Sequence, residues 1–193
     1  MRVVMPDREA LYVTAPQTRI EHDLLGDRAV PADAYYGVHT LRAVENFPIS
    51  GLPISIYPDL IRALACIKQA AALTNHELGM LDRVKTDAIV SACEDIRAGR
   101  LHDQFVVDVI QGGAGTSTNM NANEVLAHLA AKASGLPIHP NDHVNLGQSS
   151  NDVIPTALRL MAVQGAKNDL LPALSHLRKA IDKRGKALAG VVK

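Results

Sequence analysis

From about residue 58 onward, apolar residues recur every three to four positions, which is the period of an amphipathic helix. The first helix is predicted from Pro58 to Gly79, because proline favours the first turn of a helix and glycine favours its end. A second helix is predicted to begin at a cap on Asp82 and to stop at Gly99. The pattern therefore predicts two consecutive helices that pack against each other through their apolar faces.

A third helix is predicted from near Asn121 to Ala133, with Gly135 as its stop signal. The stretch that follows, residues 139–150, is polar and contains Pro140. Such a composition is typical of a loop, so we expect no regular element between this helix and the next one.

The last helical pattern starts beyond Asn151 and places Pro155 in its first turn. From Leu170 the apolar residues keep the helical period to the end of the chain, and Pro172 is expected to kink or divide this region. Gly190 is only a weak stop signal, so the pattern indicates a helix that continues. Its apolar stripe needs partner helices, which we expect from an oligomer or from a missing C-terminal portion.

The chain up to about Ser55 is rich in proline and glycine and has no sustained helical period. We predict loops and short extended pieces in this part of the chain, with residues 1–17 as a disordered extension. The fold class that results is mainly α.

Composition excludes several classes of protein. The 193 residues carry 20 basic and 20 acidic side chains, so the formal net charge is 0, and only 3% of the residues are aromatic. Nucleic-acid binding is not expected, because the chain offers neither an excess of positive charge nor many rings for stacking. No apolar run reaches the roughly 18 residues that a membrane span needs. Cys66 and Cys93 lie inside apolar helical patterns, as reduced thiols do, and we expect a cytoplasmic protein.

The first chemically distinctive segment is residues 111–121, in which three glycines are followed by hydroxyl and amide side chains before a helix. Glycine lets the backbone approach a ligand, and the free N–H groups at a helix start favour an anion such as a carboxylate. The segment lacks the lysine of a phosphate-binding loop and follows no strand, so neither a nucleotide nor another cofactor is expected. A glycine-rich turn before a helix capped by serine or threonine explains the pattern equally well.

Residues 147–152 have similar chemistry, with two serines and an asparagine at a helix start. Neutral hydrogen-bonding groups can hold a carboxylate and an amine together without a competing ion pair. Helix capping is the commoner reason for such a string, and Asn151 or Asp152 would then be the cap.

Residues 139–143 place two histidines and one aspartate at a spacing that resembles metal ligands. Pro140 argues against a continuous helical face that presents both rings, and no further ligand cluster accompanies them. We therefore expect a polar loop here and no metal.

Three collinear motifs, residues 112–124, 139–145 and 148–156, resemble the aspartase/fumarase superfamily. Residues 19–26 and 30–47 are similar to the aspartate ammonia-lyase branch of that superfamily in particular. The resemblance extends over about residues 18–193. The pair Ser149-Ser150, in contrast, has the form that fumarases carry, where aspartate ammonia-lyases usually have Ser-Thr.

The resemblance implies a homotetramer in which each active site is assembled from three subunits around a long helical bundle. Residues 18–153 would then be the N-terminal domain, and residues 154–193 would be the first helix of the central helical domain. The implied reaction is the reversible deamination of L-aspartate to fumarate and ammonia, so the partner molecule is a small dicarboxylate and no cofactor is needed.

By motif position, the resemblance assigns substrate binding to five residues. Thr116, Ser149 and Ser150 would hold the β-carboxylate, Asn151 with Thr116 would contact the amino group, and Asn119 is a secondary candidate. The serine loop that supplies the general base in the family has no counterpart in these 193 residues. We therefore expect an N-terminal fragment that contains no catalytic residue and is inactive when isolated.

Two other interpretations stay open. The chain can be the equivalent part of a class II fumarase or of another lyase of the superfamily. It can also be a non-catalytic binding or assembly module that keeps the fold.

Overall fold

The computed structural model describes residues 17–191, which begin with an antiparallel hairpin. Strand β1 is Thr18–Asp23 and strand β2 is Gly26–Pro31, paired so that Arg19 lies opposite Val30. The predicted short extended pieces are therefore confirmed. The disordered extension predicted for residues 1–17 falls, except for its last residue, outside the described part of the chain.

Helices make up most of the described chain, which confirms the mainly α fold class. Their bounds are α1 Val38–Asn46, α2 Pro58–Glu77, α3 Arg83–Arg97, α4 Thr116–Ser134, α5 Ser150–Gly165 and α6 Leu171–Ala187.

The first two predicted helices, α2 and α3, are confirmed together with their end signals. Pro58 is the first residue of α2. The carboxylate of Asp82 caps α3 by accepting a hydrogen bond of 2.9 Å from the backbone N–H of Lys85. Local sequence signals and the final structure agree at these positions.

The starts of α4 and α5 differ from the predictions. Helix α4 begins at Thr116 rather than near Asn121, because its first turns are built from buried polar residues that an apolar period does not reveal. Helix α5 begins at Ser150, so Pro155 lies in its second turn rather than in its first. The loop predicted between them contains one wide helical turn, Pro140–Val144.

Helix α1 lies in the segment that was predicted to hold only loops and extended pieces, so that part of the prediction is wrong. The helix spans nine residues, of which only Val38 and Thr40 are buried. No side chain adjacent in sequence caps its start. A helix this short and this weakly apolar has no strong local signal, and its stability must come from tertiary contacts.

The main core lies where α2 packs against α3 and α5 and where α4 packs against α3 and α5. Its fully buried side chains include Ile61, Leu64, Ile89, Ile96, Leu126 and Val153. This arrangement places the N-terminal ends of α4 and α5 beside each other, next to the middle of α2.

Helix α6 differs from all other helices, because none of its residues is buried. One wide helical turn, Ala166–Leu170, joins it to α5 just before Pro172, and the backbone stays helical through both junctions. The local change in helix type lies next to Pro172, where a kink or division was predicted. The helix ends at Ala187, whereas the pattern predicted helix to the end of the chain. Its apolar side chains Leu171, Leu174, Leu177 and Ile181 are each more than half exposed. Within residues 17–191, no helix is long and apolar enough to span a membrane.

Candidate functional site

The starts of α4 and α5 meet through a hydrogen bond between two of the predicted site residues. The side-chain amide of Asn119, in the first turn of α4, donates through Nδ2 to Oγ of Ser150 at 3.1 Å. Ser150 is the first residue of α5. The structure therefore brings together the two polar segments, whose bonded residues Asn119 and Ser150 are 31 positions apart in sequence. All five predicted residues lie at these two helix starts.

A glycine at position 115 allows this close approach. Gly115 precedes α4 with φ of +79°, a left-handed conformation that side chains other than glycine rarely adopt. A Cβ atom at this position would lie 2.8 Å from Cγ1 of Ile154 on α5. Any larger residue would both strain the turn and push the two helices apart.

Gln111 caps α4 from the preceding loop. Its Oε1 accepts from the backbone N–H of Thr118 at 2.8 Å, and its Nε2 donates to Oγ1 of the same threonine at 2.8 Å. The alternative that a serine or threonine caps this helix is therefore wrong. Thr116 is exposed at the first position of the helix, where backbone N–H groups precede the helical hydrogen-bond ladder.

Ser149 caps α5, since its Oγ accepts from the backbone N–H of Asn151 at 3.2 Å. The prediction that a side chain of this segment caps the helix is therefore confirmed. The residue is Ser149, however, and not Asn151 or Asp152 as predicted. The side chains of Ser149 and Asn151 are exposed, so both remain accessible to a ligand.

Lys68 is a charged residue of this region that the sequence prediction missed. It lies on α2 and is 0% exposed, and its ammonium group donates to three neutral oxygens. These are Oδ1 of Asn119 at 2.7 Å, Oδ1 of Asn145 at 2.9 Å and Oε1 of Gln148 at 2.9 Å. Lys68 thus ties α2 to the start of α4 and to the loop before α5.

Burial lowers the pKa of Lys68 to about 7. A sequence signal for this residue does exist. Leu64, Lys68 and Ala72 are spaced by four residues, so the helical period places the lysine on the apolar face of α2. A lysine on an apolar face needs polar partners inside the protein, and the structure shows three of them.

Asp108 anchors the loop that leads to the glycines. Its carboxylate accepts from the backbone N–H groups of Ser50, Gly51 and Ile110 at 2.7 to 2.8 Å, and from the hydroxyl of Ser50 at 2.7 Å. Burial raises the pKa of Asp108, but these hydrogen bonds outweigh it and lower the pKa to about 2.

In the polar segment of residues 139–143, the histidine side chains form hydrogen bonds with the backbone of the same segment. Nδ1 of His139 accepts from the N–H of Asp142 at 3.1 Å, and Nδ1 of His143 accepts from the N–H of His139 at 2.8 Å. In the described chain, no group of three or more histidine, cysteine, aspartate or glutamate side chains is placed to hold a metal ion.

An open cavity of about 910 Å³ lies against the glycine loop and α5. Gly113, Gly115 and Asn151 contribute to its lining, and Tyr57, Ile154 and Leu158 provide apolar walls. A small ligand held at the two helix starts would therefore lie at the edge of a space that extends well beyond them.

A protein-family model described as Lyase matches residues 26–193. The chain belongs to this family of lyases. It is 57% identical, over 175 residues, to a class II fumarate hydratase from Xylella fastidiosa, covering 91% of this chain and 37% of that protein. It is 54% identical, over 182 residues, to an aspartate ammonia-lyase from Pseudomonas aeruginosa, covering 91% of this chain and 38% of that protein.

The fold of this member of the lyase family is also similar to a crystal structure described as fumarate lyase:delta crystallin from Brucella melitensis. The TM-score is 0.87 at 51% identity, over 91% of this chain and 42% of that protein. The chain therefore spans about two fifths of the length of its relatives. The resemblance to the aspartase/fumarase superfamily is confirmed, and its relatives include both fumarases and aspartate ammonia-lyases.

Proposed function

We propose that this chain supplies the substrate-binding groups of a lyase that reversibly converts L-aspartate to fumarate and ammonia. The observation that carries the proposal is the meeting of two helix starts through Asn119 and Ser150, where the described binding groups are neutral donors. Helix starts of this kind favour a carboxylate ligand. The proposed contacts are Thr116, Ser149, Ser150 and Asn151. The secondary candidate, Asn119, is buried behind them, with its amide paired to Lys68, Asn145 and Ser150.

The chemistry of the reaction explains why such a site is useful. Removal of a proton from the carbon beside the β-carboxylate places a second negative charge on that group. Preorganised donors that bind this charge lower the barrier, typically by several kcal/mol. In this proposal, Thr116, Ser149 and Ser150 hold the β-carboxylate, and the first N–H groups of α4 and α5 add their partial positive charge.

Proton abstraction is not assigned to this chain. The resemblance places the general base in a serine loop that these 193 residues do not contain, so turnover belongs to the intact enzyme. Asn151 is proposed to contact the amino group together with Thr116, because an amide oxygen can accept a hydrogen bond from an ammonium. Its exposed position at the start of α5 leaves it free to do so.

The proposal is tested by comparing aspartate and malate as substrates of the intact enzyme. We expect aspartate deamination to exceed malate dehydration, measured by fumarate absorbance. Asn151→Ala should lower kcat/KM for aspartate about tenfold or more, because a hydrogen bond to a charged group contributes about 1.5 to 3 kcal/mol. Asn46→Ala, at the exposed end of α1, is the matched control.

Malate as the better substrate would favour the second candidate, a class II fumarase. Two observations support that candidate: the Ser149-Ser150 pair and the 57% identity to a fumarate hydratase. Both carboxylates are common to aspartate and malate, so the proposed carboxylate contacts serve either reaction. Unchanged turnover in Asn151→Ala would contradict the proposed contact between Asn151 and the amino group, and would leave the other proposed contacts untouched.

We further propose a cytoplasmic homotetramer, with residues 18–153 as its N-terminal domain and residues 154–193 as the start of its helical bundle. The fully exposed α6 supports this assembly, because its leucines need partner helices. Light scattering should show self-association, and hydrogen exchange should show protection of residues 170–188 in the assembly. A strict monomer would contradict the assembly, and strong protection of those residues in a monomer would show that they need no partner helices.

A further inference from the structure

We propose that Lys68 is a positioning residue, which sets the direction of hydrogen bonding at Ser150 and carries the positive charge that a bound dicarboxylate balances. This inference rests on the proposed function, since it assumes that an anion binds at the starts of α4 and α5. Lys68 contacts the proposed binding groups only through Asn119, so it does not touch the ligand itself. The inference holds whether aspartate or malate is the substrate.

The number of hydrogen bonds at Lys68 defines its protonation state in the arrangement observed. Its nitrogen lies 2.7 to 2.9 Å from three oxygens, those of Asn119, Asn145 and Gln148. An amide oxygen can only accept, so three N–H donors are needed, and the ammonium form has three. A neutral amine has two N–H groups and one lone pair. Loss of the proton would therefore leave one oxygen facing that lone pair.

The ammonium also determines how the amide of Asn119 is oriented. Because Lys68 can only donate, Oδ1 of Asn119 must face it, and Nδ2 must face Ser150 and Asn145. Oγ of Ser150 then accepts from Nδ2 at 3.1 Å, so its own hydroxyl proton is available for another acceptor. The chain from Lys68 through Asn119 to Ser150 thus runs in one direction, and each bond strengthens the next.

The charge of Lys68 has no counter-ion in the part of the chain that the structure describes. None of the ion pairs found between residues 17 and 191 includes Lys68. Helix α3 presents the buried thiol of Cys93, whose pKa is raised by burial, so that it stays neutral. Helix α4 and the loop before α5 present to Lys68 the amides of Asn119, Asn145 and Gln148. Helix α5 carries Asp152 in its first turn, and this carboxylate is exposed and forms no ion pair with Lys68.

A buried cation without a counter-ion favours an anion close by. The dicarboxylate at the two helix starts is separated from Lys68 by a single side chain, that of Asn119. Binding of the anion should stabilise the ammonium form, so it raises the pKa of Lys68 from its value of about 7 in the free chain. By linkage, affinity for the anion is greatest when Lys68 is protonated and falls as pH rises through that pKa.

Succinate is the probe for this inference, because it carries two carboxylates and no leaving group. Its dissociation constant is measured by calorimetry on the intact enzyme between pH 5.5 and 8.5, a range chosen to span about one and a half units on either side of the pKa. We expect wild-type affinity to fall above the pKa of the free chain, by up to tenfold per pH unit until the raised pKa of the complex is reached, because at most one proton is linked to binding. Lys68→Met should bind succinate about tenfold or more weakly at pH 6 and should lose this pH dependence.

Asn145→Asp separates charge from hydrogen bonding. The carboxylate can still accept from Lys68 and from Asn119, so the local geometry is kept, and only a long 3.4 Å contact to the carbonyl of Gln148 is lost. The new negative charge should weaken succinate binding about tenfold at pH 6 and should move the loss of affinity to higher pH. Asn46→Asp, which adds the same charge at an exposed site, should change neither.

Each outcome decides between a structural role and the proposed one. Wild-type affinity and wild-type pH dependence in Asn145→Asp would overturn the inference, even if Lys68→Met fails to fold. If the wild-type enzyme turns over malate and succinate affinity shows the expected dependence on pH, the inference about Lys68 stands and only the proposed substrate changes. A folded wild-type enzyme that does not bind succinate at any pH would refute the anion site and, with it, this role of Lys68.

Discussion

Backbone N–H groups at a helix start lack partners within the helix, and the start of α1 pairs them with different side chains from those at the starts of α4 and α5. At α1, carboxylates of the protein itself occupy the free N–H groups. Glu124 accepts from Gly37, His39 and Thr40 at 2.9 to 3.0 Å, and Glu21 accepts from Val38 at 2.8 Å. At α4 and α5 the caps are a glutamine and a serine, which are neutral.

This difference in charge separates a structural helix start from one that can bind an anion. The N–H groups of α1 are already paired with two negative charges, so a further carboxylate would be repelled there. Beside the starts of α4 and α5 lies the buried ammonium of Lys68, which has the opposite sign, and the acidic side chain in the first turn of α5, Asp152, is exposed to solvent. Helix starts are common in proteins, and it is the charge of the neighbouring side chains that decides which of them binds an anion.

The largest effect is expected where the carboxylate of α1 is removed. Glu124→Ala leaves three backbone N–H groups without their acceptor, two of which are in buried residues. Each unpaired buried donor costs about 1 to 3 kcal/mol, so we expect a loss of about 3 kcal/mol or more in the free energy of unfolding, measured by urea titration. Glu45→Ala, at an exposed position of the same helix, should change it by less than about 0.5 kcal/mol.

A loss of less than about 1 kcal/mol in Glu124→Ala would mean that water replaces the carboxylate without difficulty. The start of α1 would then not depend on the charge of a residue distant in sequence. The claim that α1 is stabilised by carboxylates, in contrast to α4 and α5, would be wrong.

A smaller effect is expected when α4 is given the kind of start that α1 has. Thr116→Asp places a carboxylate at the first position of α4, where a negative charge stabilises the helix by about 0.3 to 1 kcal/mol. The same charge should weaken succinate binding about tenfold or more, by repulsion of the like charge. Calorimetry and urea unfolding on one preparation measure both quantities. The variant should therefore be at least as stable as wild type and a poorer binder.

Thr116→Val is the matched control, because it removes the hydroxyl and adds no charge. It should weaken binding less than the aspartate does. Equal effects of the two substitutions would show that Thr116 acts only through its hydroxyl, and the argument from charge at this helix start would fail.

Local sequence signals predicted much of the fold and part of the site. The period of apolar residues and the caps predicted α2 and α3, since those signals lie within the helices themselves. Helix α1 was missed because its start is held by Glu21 and Glu124, which are distant in sequence. The early start of α4 was missed because its first turns bury amides such as Asn119 and Asn121 instead of apolar side chains.

The composition of the two polar segments predicted a pair of helix starts with neutral donors, and the resemblance to a known family assigned them to one site. Neither could predict Lys68, because its partners Asn119, Asn145 and Gln148 are 51 to 80 residues away along the chain. Position on the apolar face of α2 was the available signal. A lysine there shows that a buried charge exists, and only tertiary structure shows what it contacts.

Protonation of wild-type Asp108 has no effect at neutral pH and is expected to act only in acid. This carboxylate pairs with backbone N–H groups as Glu124 does, but in a loop. Its pKa is about 2 in the folded chain and near 3.8 in the unfolded chain, so the folded state favours the carboxylate. The resulting stabilisation is fully present above about pH 4 and is lost as pH falls from about 4 to 2. Wild type and Asp108→Asn should therefore differ in unfolding free energy at pH 6 and converge toward pH 2, as followed by urea titration at each pH. A difference that stays constant down to pH 2 would mean that the carboxylate charge does not hold this loop, and that neutral acceptors serve as well here as they do at α4 and α5.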